Sequence, residues 1–328
     1  NKADVTETDL MLDWVDDPQT RVMLAYVEGV PNGPEFMRVA REVSRKKPIL
    51  VLKSGVTESG SRAVSSHTGS LAGAEAAYDA AFYQAGVLRM NSLEELFGNA
   101  RAFANQPLLN GSRIAIVTNA GGPGILATDT LERSGMQLAR FEHETVRKLE
   151  EFLPDAASVA NPVDVLGDAR HERYAQAMEL VALDPNVDGL LCIVTPQAMT
   201  DIVETANAVG KLSQRTDKPI LAAFMGEERA KAGVDVLASY NVPNYMFPEQ
   251  AARAFAREHN LPEMTGSDAH SALELGRALL RMPDFYSADS LREALRESRQ
   301  MTRLSGSSVH LISTWAKLVK SAGIRKQP

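Results

Sequence analysis

Apolar residues follow two rhythms along this chain. Residues 21–27, 48–52, 113–117, 188–195 and 219–224 are short, nearly continuous apolar runs rich in β-branched side chains, the pattern of strands buried on both faces. Between them the apolar positions recur at helical spacing. Phe36, Val39, Ala40 and Val43 share one face of a helix predicted over 34–46, and Ile202, Ala206 and Val209 share one face over 199–213. A further helix is predicted over 8–16. Strand alternating with helix predicts parallel sheets covered by helices.

The alternation occurs twice. Lys47-Pro48-Ile49-Leu50 and Lys218-Pro219-Ile220-Leu221 open corresponding strands, and Ala-Arg-Ala-Phe recurs at 100–103 and 252–255 inside a closing helix. The first of these helices is predicted to start on a capping box, Ser92 with Glu95. The halves join near 105–111. Two differences separate them. Pro48 and Ala100 lie 52 positions apart but Pro219 and Ala252 only 33, and the surplus of 19 falls around 53–70. The second half opens with a strand, the glycine-rich stretch Thr118-Asn119-Ala120-Gly121-Gly122-Pro123-Gly124 and a helix over 125–133. The first half has no room for these before Arg21. The reading is three segments: 1–106, a first α/β domain incomplete at its front; 107–258, a second; and 259–328, a connector. In the connector, helices are predicted over 267–282, 287–299 and 309–322, with a linker over 302–308.

Composition narrows the possibilities. The 328 residues carry a net charge of −7 with no basic run, which argues against nucleic acid. No apolar segment is long enough to span a bilayer, and the polar, acidic opening lacks a signal peptide's features. Cys192, the single cysteine, sits in an apolar run and reads as a buried strand residue in a reducing, cytoplasmic protein. The chain opens on Asn1 rather than methionine and reads as a piece of a longer protein.

The surplus segment holds Ser65-Ser66-His67-Thr68-Gly69-Ser70-Leu71-Ala72-Gly73, a histidine among small hydroxyl and glycine residues before an alanine-rich stretch. A neutral imidazole can attack phosphorus near pH 7, and backbone N–H groups at a helix start suit phosphate oxygens. A histidine in a polar loop is ordinarily a solvated bystander, but packing of the duplicated unit does not require this loop. Thr118 to Gly124 joins a strand to a helix, so it reads either as a tight turn or as an anion cradle. It is neither a Walker A loop nor a dinucleotide fingerprint. Glu28 ends the first strand, where a carboxylate could orient an imidazole, and Lys53, Ser54 and Gly55 end the next. Asn161-Pro162-Val163-Asp164 reads either as a turn or as bringing Asn161 and Asp164 to the crevice. His143, His171, His259, His270 and His310 read as solvent-facing, and no metal-ligand spacing occurs.

Together Asn1-Lys2-Ala3-Asp4, Tyr26-Val27-Glu28-Gly29, residues 47–55, 65–73, 118–124 and 161–165 resemble the NDP-forming acyl-CoA synthetases, relatives of succinyl-CoA synthetase, over 1–258. The resemblance implies two flavodoxin-like, doubly wound parallel-sheet domains in tandem, here followed by a helical extension leading toward an ATP-grasp domain. It implies a phosphoryl group carried by His67 between an acyl phosphate and NDP, with Glu28 orienting the histidine. The phosphate would be held by Thr68, Gly69, Asn119, Gly121, Gly122 and Gly124, with Lys53, Ser54, Gly55, Asn161 and Asp164 lining the crevice. It further implies CoA, ATP or ADP with Mg, and phosphate as ligands, a small acyl substrate, CoA-binding and ATP-grasp domains as partners, and an oligomer. A non-catalytic regulatory or scaffold role, as in acetyltransferase-fused relatives, is the alternative. A flavodoxin-like nucleotide or flavin binder is a more distant one.

Overall fold

The structure is a computed structural model that describes residues 4–57, 59, 60, 62, 75–259, 278–281 and 299–302. The chain divides into two compact units, Asn1–Pro262 and Glu263–Pro328.

The first unit contains two parallel sheets. In the first, β1 (Met23–Val27) pairs with β2 (Ile49–Lys53), and β2 with β3 (Leu88–Met90). Helices α1 (Glu7–Trp14), α2 (Gly33–Ser44) and α3 (Glu75–Gln84) belong to this half, followed by α4 (Leu93–Asn105). Helix α2 forms because Phe36, Val39, Ala40 and Val43 make one buried stripe and Asn32 caps Glu35 N–H at 3.2 Å. That stripe packs with Ile49 and Val51 on one face of β2, while Leu50 faces α4 with Phe103 and Leu96.

In the second sheet β4 (Arg113–Thr118) is central. β5 (Gln137–Leu138) and β6 (Val163–Asp164) both pair with β4, β5 at its start and β6 at its end. Beyond it come β7 (Gly189–Val194) and β8 (Ile220–Phe224). Helices α5 (Gly121–Arg133), α6 (His143–Phe152), α7 (His171–Leu183), α8 (Ile202–Ser213), α9 (Glu227–Ser239) and α10 (Pro248–His259) cover it. The β7 residues are buried throughout, as a strand covered on both faces requires. Cys192 lies there, fully buried, and desolvation raises its thiol far above the ordinary range.

The duplication holds in the sheets. Ile49 pairs with Met23 in the first and Ile220 with Leu190 in the second, both in parallel register. Beyond β8 an isolated parallel bridge, Ala222 to Asn244, stands where β3 stands beyond β2. The closing helices of the halves, α4 and α10, meet. Tyr245 Oη donates to Gly98 O at 3.1 Å, Gln250 Nε2 to Glu94 Oε1 at 2.5 Å, and Arg257 reaches Glu95 Oε2 at 2.8 Å and Arg89 O at 2.7 Å. Gly98 lets the helices come close there, since a Cβ would stand 3.3 Å from the Tyr245 ring and press on it.

Three local expectations change. Ser92 accepts from Glu95 N–H as a cap should, but the Glu95 carboxylate takes Asn91 N–H and Arg257 instead of closing the box. Helix α5 starts at Gly121, four residues earlier than expected, so the glycines form its first turn. The helices expected over 267–282 and 287–299 are corrected where they can be seen. Residues Ala278–Arg281 (β9) and Arg299–Thr302 (β10) pair as antiparallel strands. Ala-Leu-Leu-Arg favours a helix locally, and pairing with a second segment outweighs that weak preference. Thr302, expected to open a linker, ends β10; residues 303–328 lie outside the described residues. No helix among the described residues is long and apolar enough to cross a membrane.

Candidate functional site

Both sheets present chemistry at the carboxyl ends of their strands, where open α/β sheets gather ligands. In the first half, Glu28 follows β1 and is half-buried. Lys53 ends β2, directly opposite Val27 in the register. Ser54 N–H then donates to Val27 O at 3.0 Å, and Gly55 turns the chain with φ at 70°. Lys53 is 5 % exposed. Its ammonium donates to Ser54 O and lies 4.7 Å from the Tyr78 ring centroid. Burial lowers its pKa, and the nearby Arg89 charge adds to this against the opposing pull of Glu28 and Glu75. The Tyr78 hydroxyl accepts Val30 N–H at 3.3 Å, tying α3 to the loop after β1.

In the second half the mouth lies between β4 and β7, the place where the chain passes from one side of β4 to the other. Gly121 and Gly122 are exposed at the start of α5, whose Ala120 N-cap offers no side-chain cap and whose first turn holds no acid. The helix end therefore presents free amide donors and the positive pole of its dipole. Gly124 is buried and brings the helix close: a Cβ there would stand 3.2 Å from Thr118 Cγ2. The Asn119 side chain is not turned toward this mouth. It is 2 % exposed, its oxygen accepts from Thr195 N–H at 2.9 Å and Thr195 Oγ1 at 3.0 Å, and its amide donates to Thr195 O at 2.9 Å. It locks the β4 loop to the end of β7.

Asp164 and Asn161, expected together, part company. Asp164 pairs with Thr118 and its Oδ1 accepts Leu166 N–H at 2.9 Å, while Oδ2 stands 3.6 Å from where a Gly121 Cβ would be, so it fronts the helix start. Asn161 instead fills the gap between β5 and β6 along β4. Its oxygen accepts Ile116 N–H at 2.9 Å, and its amide donates to Ile114 O at 2.8 Å and Ala139 O at 3.1 Å. It stands in for a missing strand residue and does not line the crevice through its side chain. Asn161→Ala leaves these strand groups unpaired and is expected to cost about 2–3 kcal/mol of stability, read from urea denaturation.

His171 is a further correction. It is half-buried rather than free in solvent, with Nδ1 3.1 Å from Asp201 Oδ2 and 3.3 Å from Glu172 Oε2. The hydrogen bond from His171 holds the Asp201 carboxyl below its usual pKa. These three side chains are close enough to share a cation, but their mutual pairing accounts for the cluster. His143 and His259 are exposed, as expected. Tyr78, Thr195 and Gln197 were missed. Thr195 and Gln197 follow β7, so the rule that ligands gather beyond strand ends could have found them; Gln197 Nε2 reaches toward Asn119 O at 3.5 Å. Tyr78 carries no such signal. His67, Thr68 and Gly69 lie outside the described residues, as do His270 and His310.

The pair of parallel sheets with a glycine-started helix at the carboxyl edge defines a tandem of CoA-ligase-type flavodoxin-like domains. Residues 1–103 match the succinyl-CoA ligase like flavodoxin domain, residues 114–257 match the ligase-CoA domain, and residues 249–299 match a PHP-associated domain. The chain is 43 % identical over 256 residues to acetate–CoA ligase [ADP-forming] I of Archaeoglobus fulgidus, covering 78 % of this chain and 36 % of that protein. It is 42 % identical over 258 residues to the alpha subunit of acetate–CoA ligase [ADP-forming] II of Pyrococcus furiosus, covering 77 % of this chain and 56 % of that one. Among solved structures, the dinucleotide forming acetyl-coenzyme A synthetase 1 of Ca. Korarchaeum cryptofilum, in complex with phosphate and ADP, superposes with a TM-score of 0.74 at 33 % identity, over 79 % of this chain and 56 % of that one. The chain belongs to the NDP-forming acyl-CoA synthetase family, and it spans between about a third and just over half of the length of these relatives.

Proposed function

We propose that this chain is the two-ligase-domain core of an acyl-CoA synthetase that interconverts acyl-CoA, phosphate and NDP with acid, CoA and NTP through a phosphohistidine at His67. Its domains are residues 1–106 and 107–258, with 259–328 as a connector. His67 is the nucleophile and Glu28 orients it. Thr68 and Gly69 and the α5 start at Gly121 and Gly122 receive phosphoryl charge, Gly124 lets that first turn pack close to Thr118, and Asp164 stands at the mouth. The names of its relatives point to acetate or a similar small acid and to ADP. CoA and ATP with Mg are held by CoA-binding and ATP-grasp domains in an oligomeric, cytoplasmic enzyme.

The observation that carries this reading is where the surplus segment leaves the fold. It departs from the carboxyl end of β2, beside Glu28 at the end of β1, and the second half has no counterpart to it. A segment added at a ligand-gathering edge is where a phosphoryl carrier belongs.

The test is acyl-CoA formation by the purified 328 residues, alone and mixed with separately produced CoA-binding and ATP-grasp domains. No formation is expected alone, and turnover is expected in the mixture. Turnover by these residues alone would overturn the assignment of CoA and nucleotide binding to other domains. A mixture that assembles yet neither turns over nor carries phosphate would favour a scaffold role.

A further inference from the structure

Lys53 is the residue that the packing explains least. Strand alternation puts it on the same face of β2 as Ile49 and Val51, which pack against α2 and α3. The duplicated half supplies an internal comparison. Aligning the two Lys-Pro-Ile-Leu segments sets Lys53 against Phe224, which is 2 % exposed in the second core. The fold can fill this position with an aromatic ring, and the first half fills it with an ammonium.

That ammonium is poorly satisfied. Its contacts are the Ser54 carbonyl and the face of Tyr78, and no carboxylate among the described residues lies within ion-pair distance. Glu28 and Glu75 pull on it from farther away, Glu75 being engaged by Arg89 at 2.9 Å, and the Arg89 charge opposes it. Next in the chain, the Ser54 hydroxyl is buried and has no hydrogen-bond partner among the described residues. A buried cation without a counter-charge costs several kcal/mol, and such costs persist where a ligand needs them. The two remaining N–H donors of the ammonium and the Ser54 hydroxyl, at the carboxyl edge of a parallel sheet, suit an oxyanion with several acceptor atoms.

We propose that Lys53 Nζ and Ser54 Oγ form a subsite for a phosphoryl oxyanion at the end of β2. The inference rests on the reading of this edge as a phosphoryl-handling site, and it adds a cation and a hydroxyl donor to it. The phosphoryl group can arrive as inorganic phosphate or on a carrier, and the two have the same oxygens to offer.

The experiment measures binding of inorganic phosphate to the chain by 31P line broadening, together with melting temperature, for wild type, Lys53→Met and Ser54→Ala. ATP-dependent labelling of His67 in the complete assembly is measured beside it. Lys53→Met is expected to weaken phosphate binding at least about tenfold, the loss of a charge-assisted hydrogen bond, and Ser54→Ala by a smaller factor. Lys53→Met is also expected to raise the melting temperature, because it removes an unpaired buried charge; a merely structural lysine would lower it. Phosphate bound equally by wild type and Lys53→Met, or not bound by wild type, overturns the subsite. If His67 is labelled in either of those cases, the phosphohistidine reading survives alone. If phosphate binding depends on Lys53 while His67 takes no label, the subsite survives alone.

Discussion

Replacing His67 with alanine is expected to abolish an alkali-stable, acid-labile phosphate label when the complete assembly is incubated with labelled ATP. The phosphoramidate formed on imidazole survives alkali and hydrolyses in acid, whereas an ester on Ser65, Ser66 or Ser70 behaves the other way, so the label identifies the nucleophile among its neighbours. No neighbour offers an equivalent group near pH 7. Glu28→Gln is expected to lower the labelling rate by ~10²–10⁴ without moving the site, because a carboxylate that orients an imidazole also raises its basicity in the transition state. Alkali-stable label persisting in His67→Ala would displace the nucleophile from this residue. An unchanged rate in Glu28→Gln would remove Glu28 from the mechanism and leave its place at the end of β1 as an ordinary half-buried acid.

The second large effect concerns stability. Glu258, in the last turn of α10, is 4 % exposed, and neither carboxylate oxygen has a hydrogen-bond partner among the described residues. Burial pushes its pKa up to about 8, against a small opposing influence from the Leu109 backbone, which lies outside hydrogen-bond geometry. The folded carboxyl thus keeps its proton to about pH 8, while the unfolded one loses it near its ordinary value of 4.5. The unfolded chain therefore binds fewer protons through this window, and folding stability falls as pH rises from 4.5 toward 8. At pH 7 the loss is about 3 kcal/mol. Glu258→Gln keeps the shape and cannot ionise, so it should leave stability at pH 5 nearly unchanged and raise it by about that amount at pH 7. Urea denaturation of both proteins at the two pH values checks this. A wild-type stability that rises with pH where the variant's does not would mean that Glu258 is charged and paired in the fold.

The sequence made the sheets legible because fully buried parallel strands read as continuous apolar runs, and β2, β4, β7 and β8 have no polar face to obscure them. The repeat was legible through two short identities, Lys-Pro-Ile-Leu and Ala-Arg-Ala-Phe, which the pairing of Ile49 with Met23 and Ile220 with Leu190 places in equivalent strands. What was hidden depended on side chains replacing backbone or on distant partners. Asn161 acts as a strand residue through its amide, and no local pattern announces that. Asn119 sits in a glycine-rich stretch that suggests a ligand, yet its amide serves Thr195, 76 residues away. His171 lies in a charged helix start, and its pairing with Asp201 requires two loops to come together. The 278–281 strand was hidden by its own composition, since Ala and Leu favour a helix until another segment supplies hydrogen bonds.

The joint between α4 and α10 reads nearly the same from either side. Aligning Ala100 with Ala252 sets Gly98 against Gln250 and Glu94 against Met246. Gly98 meets Tyr245, the neighbour of Met246, while Gln250 meets Glu94. Such reciprocity is the mark of a two-fold contact between identical subunits. In a true homodimer a change at one position must suit both copies at once. Carried within one chain, the same contact releases each half from its twin, so a lysine at 53 and a phenylalanine at 224 can occupy one architectural position and answer different demands.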